Sequence, residues 1–383
     1  MISSRQLYAS SSGCQFNRSD YGFRDSDYPE FFQLIAEIQS LHFFSSSVSF
    51  EFLEEKALQW IVDVYINGKS TVELINHLRD ELESVIEKQK FYFHVLNLHI
   101  HEPFKIGNVE ITFFTKDYFD KFWDSYERKE ETTQEVFDKL FRKYQGRVFA
   151  SYETKAESKK GKEIAFNECS LAIDALRCFT TTTIFPNRKC YVDLSDRINI
   201  NYQTDIISIP TGKEFEFRIS MSAKNDPFTI TKDFYEHLLK TGLQVFSDKI
   251  KSNEKDELSL LIIQSIKLYS YAISTFDLHL RVTQLVTIFE SLLLEEDRKY
   301  KMEEFVKKRL RKLLGTVMND TQELMLTDMY QIRHKMLHKA RRLQIDMTKL
   351  RDFQITAIET IKRLCFLNEK IKDKDALINY LTE

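Results

Sequence analysis

The sequence has few of the residues that bend a chain. Glycine (9) and proline (5) together stay under a third of the roughly 12% that average usage supplies. That scarcity excludes turn-dense β-sandwiches, propellers and collagen-like repeats. It also removes classes of site, because no G-x-G-x-x-G, G-x-x-x-x-G-K-S/T or G-x-S-x-G occurs. Without those glycines a chain has neither a phosphate cradle nor a nucleophile elbow. Cysteine is sparse: Cys14, Cys169, Cys178, Cys190 and Cys365, with no C-x-x-C pair. An odd set of this kind points to packed thiols in a reducing cytosol. Long apolar runs are missing too. The stretch Leu258–Ile266 is broken by Ser and Gln, well short of the ~20 residues a membrane span needs. Nothing at the start reads as a basic segment followed by an apolar one, so a cytoplasmic protein without a membrane partner is expected.

What is present is an ordinary globular composition over 383 residues, 43% hydrophobic and 30% charged, enough for two or three domains. The net charge of −3 is unevenly placed: Arg281 to Arg351 holds 16 Lys plus Arg against 10 Asp plus Glu. An anionic partner would suit that stretch, and a mixed-charge helical surface produces the same count.

The patterning predicts an α+β chain in which a mixed N-terminal region precedes an all-α bundle. Residues 1–155 alternate between helix and strand. Ser70-Thr71-Val72-Glu73 reads as a capping box opening a helix to about Gln89. Phe91, Phe93 and Val95 recur at period two as a strand, with Val109–Phe114 as its hairpin partner. Helices resume over Tyr118–Tyr144. The polar stretch Glu153–Glu163 reads as a loop or joint. Residues 156–252 form a middle α/β region, separate from the first or continuous with it. It holds a helix over Ile164–Phe179 and strands at Cys190–Leu194 and Glu214–Ser220, the last burying Phe215, Phe217 and Ile219. From 253 to 383 helices follow one another: Glu257–Ile273, Asp277–Leu294, Lys301–Leu314, Thr321–Arg341 and Met347–Lys372, with no proline after Pro227.

The fourth of these helices carries Arg333 and His338 with four residues between them. The spacing alone says little, since an Arg followed by a His after four to six residues is expected roughly 1.4 times by chance in a chain of this composition. At about 100° per residue, Met325, Met329, Ile332 and Met336 form a core stripe, and Leu326, Tyr330, Arg333 and Leu337 an adjoining face. Arg333 therefore lies among apolar neighbours and needs an anion. Glu290, flanked at helical spacing by Val286, Leu293 and Leu294, offers one. Such a pair serves either as a core ion pair that sets helix register or as part of a site.

Three segments in order, LRVTQLVTIFESLLL (Leu280–Leu294), MEEFVKKRLRKLLG (Met302–Gly315) and MYQIRHKMLHKA (Met329–Ala340), resemble the HEPN superfamily, especially its Apea-like branch. The likeness covers the chain from about Asn253 onward. It implies a metal-independent endoribonuclease without cofactors, in which two copies of the bundle pair around a shared cleft. Arg333 would be the motif arginine, His338 its histidine, His334 the polar position after the arginine, and Glu290 the acidic residue of the earlier helix. Lys339 stands where many relatives have Gly. The resemblance further implies a toxin-like effector in anti-phage defence, with the N-terminal region sensing a phage or nucleotide trigger. A non-catalytic HEPN protein binding RNA or a protein partner is the alternative. Modification of a tyrosine beside the motif by a nucleotidyltransferase is disfavoured, since Ala340 occupies that position.

The residue types suit the chemistry. An imidazole titrating near neutrality can take a proton from a ribose 2′-hydroxyl or give one to the leaving 5′-oxygen. A guanidinium can hold a phosphate in a bidentate fork. The products would be a 2′,3′-cyclic phosphate and a 5′-hydroxyl. Five positions separate Arg333 from His338, about 140° around a helix, so a second copy of the chain, or a loosened helix end, is needed to bring them onto one phosphate. Lys335, Lys339, Arg341, Arg309 and Lys312 are candidates to carry the RNA backbone. His94, His99, His101 and Glu102 share a strand-like stretch, but a zinc site there lacks a clear third or fourth ligand.

Overall fold

The computed structural model describes residues 27–66, 68, 73–117, 120, 131–186, 192–195, 197, 203–208, 216–221, 227–298 and 300–382. The chain is α+β and divides into two compact units, Met1–Phe91 with Tyr152–Asn167, and Tyr92–Ser151 with Glu168–Glu383.

In the first unit, helices α1 (Tyr28–Ser40), α2 (His42–Ser45), α3 (Phe50–Ile61) and α4 (Leu74–Val85) bury Phe31, Ile35, Phe44, Leu53, Leu78 and Leu82 in one core. Ser49 caps α3 by accepting from the Phe52 N–H. Residues 70–72 of the expected capping box lie outside the described residues. The helix after them stops at Val85, because strand β1 (Glu87–Leu96) begins where the helix was expected to continue.

The strands that follow are β2 (Leu98–Ile100), β3 (Phe104–Ile106) and β4 (Val109–Phe113), then helix α5 (Glu131–Tyr144) and strand β5 (Val148–Ala156). Tyr118 itself is outside the described residues. Strands β1, β3, β4, β5 and β6 (Asp193–Leu194) form a sheet ordered β3-β4-β5-β1-β6, while β2 pairs in parallel with Phe228–Ile230. The expected hairpin between β1 and β4 is therefore absent. β4 pairs antiparallel with β3 (Phe104↔Ile111) and with β5 (Ile111↔Ala150). The reason is local: β3 and β4 are joined by a two-residue turn in which Gly107 takes a positive φ of 61°, a shorter closure than any return to β1.

The Lys-rich stretch Glu153–Glu163, expected as a loop, is the end of β5 and the opening of helix α6 (Ser158–Phe179). Glu157 alone separates them, and its carboxylate accepts from the N–H groups of Lys159 (2.7 Å) and Lys160 (3.1 Å). Gly161 sits inside the helix because a Cβ there would stand 3.0 Å from the Phe91 ring. A close approach had the look of a breaker.

The second unit continues through β7 (Gln203–Ser208), β8 (Glu216–Met221), β9 (Phe228–Ile230), α7 (Lys232–Leu238) and α8 (Gln244–Lys251). The side chains of Phe215, Phe217 and Ile219, and residues 187–191 of the Cys190 strand, lie outside what is described. Then come α9 (Glu257–Ser274), α10 (Leu278–Leu293), α11 (Met302–Leu314), α12 (Asp320–Lys339), α13 (Met347–Leu367) and α14 (Lys374–Thr382). Leu285, Phe289, Met329, Phe353 and Ile361 meet in their core. The last expected helix, Met347–Lys372, stops at Leu367, and α14 follows beyond its expected end; Asn368, fully buried, turns the chain there by donating to Asp256 (2.8 Å) and the Ile371 carbonyl (3.0 Å). Arg177 of α6, 1% exposed, ties this region to the bundle through Asp193 (2.5 Å), Ser270 (2.8 Å) and the Val192 carbonyl (2.8 Å). Among the described residues no helix is long and apolar enough to cross a membrane.

Candidate active site

Glu290 and Arg333 meet between α10 and α12. Val286, Phe289 and Leu293 around Glu290 are fully buried, as are Met329 and, nearly so, Ile332 beside Arg333. Into this apolar seam Arg333 Nη1 donates to Glu290 Oε1 at 2.7 Å. Burial pushes the Glu290 carboxyl above its ordinary range, and the Arg333 guanidinium pulls it part of the way back. Two adjoining polar atoms, the Tyr330 hydroxyl and Arg333 Nε, are buried without a hydrogen-bond partner among the described residues. Burial, and then the negative charge of Glu290, keep the Tyr330 phenol protonated far above its usual range. The carboxylate thus holds one edge of the guanidinium, and Nε has nothing to donate to.

The histidines lie further along α12. His334 and His338 are both exposed, one turn apart, with ring centroids 4.9 Å apart and planes tilted by 46°. The helix runs through Lys339 and stops at Ala340, which is left-handed (φ 48°, ψ 31°), and the Arg341 N–H bonds back to the Lys335 carbonyl at 3.0 Å. The left-handed position that favours glycine therefore falls one residue after Lys339. Beyond it the chain is fastened to the start of α10, where Arg342 pairs with Asp277 (2.6 Å) and His279 Nε2 donates to the Leu343 carbonyl (2.8 Å).

The core stripe of α12 is as expected at Met325, Met329 and Ile332, while Leu337 is 51% exposed. Lys335 is half-buried, and Lys339 and Arg341 are exposed around the histidines. Arg309 has a different role from the one expected. It is 2% exposed, donates to Glu295 (2.5 Å) and the Leu293 carbonyl (2.6 Å), and so is a core ion-pair residue that cannot reach an RNA backbone. Lys312 is exposed but sits near the end of α11, whose neighbour Arg311 pairs with Glu323 in the first turn of α12. From Glu323 to His338 that helix rises about 22 Å at 1.5 Å per residue.

Sequence reasoning missed Arg281, which was only counted among the basic residues of its stretch. It is 5% exposed and donates to the carbonyls of Pro186 (2.7 Å), Ile273 (3.1 Å) and Thr275 (2.8 Å). Helical spacing carried the signal: Arg281 shares a face with Leu285, Ile288 and Leu292, and Arg309 shares one with Val306 and Leu313, all of them buried. Of the residues set aside earlier, His94 packs against Tyr144 and Phe149, and His99 and His101 are exposed. Cys169, Cys178 and Cys365 are buried free thiols, with burial pushing Cys365 up to about 12. Cys14 and Cys190 are outside the described residues.

Compared with models of known protein families, with curated proteins and with solved structures, the chain matches none.

Proposed function

We propose that the chain is a metal-independent endoribonuclease in which Arg333 grips the scissile phosphate and His338 moves the proton. The observation that carries this reading is the Glu290–Arg333 pair at 2.7 Å, set in the bundle beside a helix end that exposes His334 and His338. Glu290 holds Arg333 through Nη1, and the remaining Nη donors of this partly exposed side chain can turn to an anion. In the reaction a His338 nitrogen takes the proton of a ribose 2′-hydroxyl, and the 2′-oxygen attacks the adjacent phosphorus. The bond to the 5′-oxygen breaks, and that oxygen leaves with the proton that the His338 imidazolium gives back. Arg333 stabilises charge on the non-bridging oxygens. His334 orients RNA at the same helix end, and Lys335, Lys339 and Arg341 attract its backbone. Because Arg333 and His338 diverge around α12, a second copy of the bundle completes each site. In the cell the proposed role is a toxin-like effector in anti-phage defence, released by a trigger that residues 1–252 sense.

The test is total RNA incubated in EDTA with wild type and with His338→Ala, followed by end-group analysis. Cleavage by wild type alone, leaving 2′,3′-cyclic phosphates, is expected. Cleavage by both would remove His338 from the mechanism. RNA retained without cleavage by both would favour a binding protein built on the same bundle.

A further inference from the structure

We infer that His334 and His338 form a two-histidine chelate for a transition-metal ion, Zn²⁺ first among them, that switches the proposed site off. The switch rests on the proposed function, because a metal bound here would occupy the nitrogen His338 needs for proton transfer. The chelate itself does not.

Residues four apart on a helix lie on one face about one turn, or roughly 6 Å, from each other. Imidazole binds Zn²⁺ through a ring nitrogen at about 2.1 Å, which places the ion about 3.2 Å from the ring centroid. Two rings sharing one ion at the tetrahedral angle of about 109° would then have centroids about 5.2 Å apart. The His334 and His338 centroids are 4.9 Å apart, tilted by 46°. Both rings are exposed, and the helix beneath them is closed by the Arg341 to Lys335 hydrogen bond, so the spacing is held by backbone. The other close histidine pair, His99 and His101, stands two apart along a strand with centroids at 5.8 Å.

The surroundings choose the ion. Arg333, Lys335 and Lys339 flank the pair, and among the described residues no group of three His, Cys, Asp or Glu converges. A hard cation such as Mg²⁺ or Ca²⁺ needs several oxygen ligands, and the two imidazoles supply none. Neutral imidazole nitrogens suit Zn²⁺, Ni²⁺ and Cu²⁺, with water filling the positions the protein leaves open.

The experiment is a calorimetric titration of the untagged full chain with Zn²⁺, and with Mg²⁺ as the comparison. One Zn²⁺ per chain is expected, lost in His334→Ala and in His338→Ala, retained in the His99→Ala/His101→Ala double variant, and not reproduced by Mg²⁺. Circular dichroism checks that the variants fold, which their exposed positions favour. Absence of saturable Zn²⁺ binding, binding kept by His334→Ala, or binding lost in the His99/His101 variant would overturn the chelate. In a second arm, Zn²⁺ at saturating concentration suppresses RNA cleavage by wild type and EDTA restores it. Cleavage unaffected by saturating Zn²⁺ overturns the switch. A wild type that never cleaves RNA overturns the proposed function and leaves the titration to decide the chelate.

Discussion

At Glu290 and Arg333 a carboxylate and a guanidinium leave water together, and each is the other's compensation. Truncating Arg333 to Ala strands Glu290 in the seam of Val286, Phe289 and Leu293. The cost is expected at about 2 kcal/mol, less than for a fully buried pair because the Arg333 side chain keeps 25% of its exposure. The pH dependence has a definite sign. Burial already raises the folded-state value of Glu290 above its ordinary 4.5, and losing Arg333 raises it further, so the folded form binds the proton more tightly than the unfolded chain does. The deficit of Arg333→Ala should therefore be largest near pH 8 and shrink as the pH falls toward 5. Urea midpoints across that range check it; a deficit that grows in acid would mean Glu290 is not the desolvated partner. This pair was legible because both residues sit on apolar helical faces. The same reasoning was open for Arg281 and Arg309, where positive charge drew attention to the surface and the spacing of their neighbours pointed inward.

Helix starts in the bundle share a device. Asp256, Asp277, Asn319 and Asp346 each accept from backbone N–H groups of the first turn they precede, satisfying donors that have no partner within the helix. Asp256 does most, since it also accepts from Asn368. Burial alone would raise its carboxyl, but hydrogen bonds from Asn368 and Ser259, with the charge of Lys249, outweigh that and hold it at about 2 against an ordinary 3.8. Asp256→Ala should cost about 2 kcal/mol, one cap plus the acceptor of one of the two hydrogen bonds donated by the buried Asn368 amide. A depressed carboxylate contributes above its unfolded value, so the contribution is present above about pH 4 and lost as the pH falls toward 2. Wild type and variant should converge in stability over that window, as acid denaturation curves would show. The other end of α12 offers the opposite change. Ala340 is left-handed without being glycine, and Ala340→Gly should stabilise the chain by about 0.5 to 1 kcal/mol, a few degrees in Tm at most. An unchanged or lower Tm would show that the Ala340 methyl group has a contact worth more than the backbone relief. The elements themselves were largely readable, the bundle helices to within a few residues. The failures were a hairpin assigned to the wrong pair of strands, a strand passing to a helix across Glu157 alone, a last helix that ends early at Leu367, and the helix α14 after it. The two junctions are decided by single side chains, Glu157 accepting from the N–H groups of Ser49, Lys159 and Lys160, and Asn368 donating to Asp256 and the Ile371 carbonyl.

Across the whole molecule the compact units are not contiguous in sequence: 152–167 join the first unit, 92–151 the second. Helical texture alone could not have found such a division, since contacts define it. The proposed composite site has its own test at this scale. Arg333→Ala and His338→Ala, each inactive alone, should recover activity when mixed and allowed to exchange subunits. Random pairing makes half the dimers mixed, each with one intact site of two, so about a quarter of wild-type activity is expected. No recovery, with mixed dimers verified by mass, would place Arg333 and His338 in one site of one chain.

By itself the sequence determined the class of the fold, the succession of helices after Asn253, and the pairing of Glu290 with Arg333. Each follows from periodicity and from the cost of burying a lone charge, and both act locally along the chain. Tertiary structure alone decided that β5 stands between β1 and β4, that Arg281 and Arg309 are core residues, and that His334 and His338 are left exposed while Tyr330 is covered. Those outcomes depend on which distant atoms arrive beside a given side chain. Spacing along one helix names a face, and only the packing of the others decides whether that face is covered.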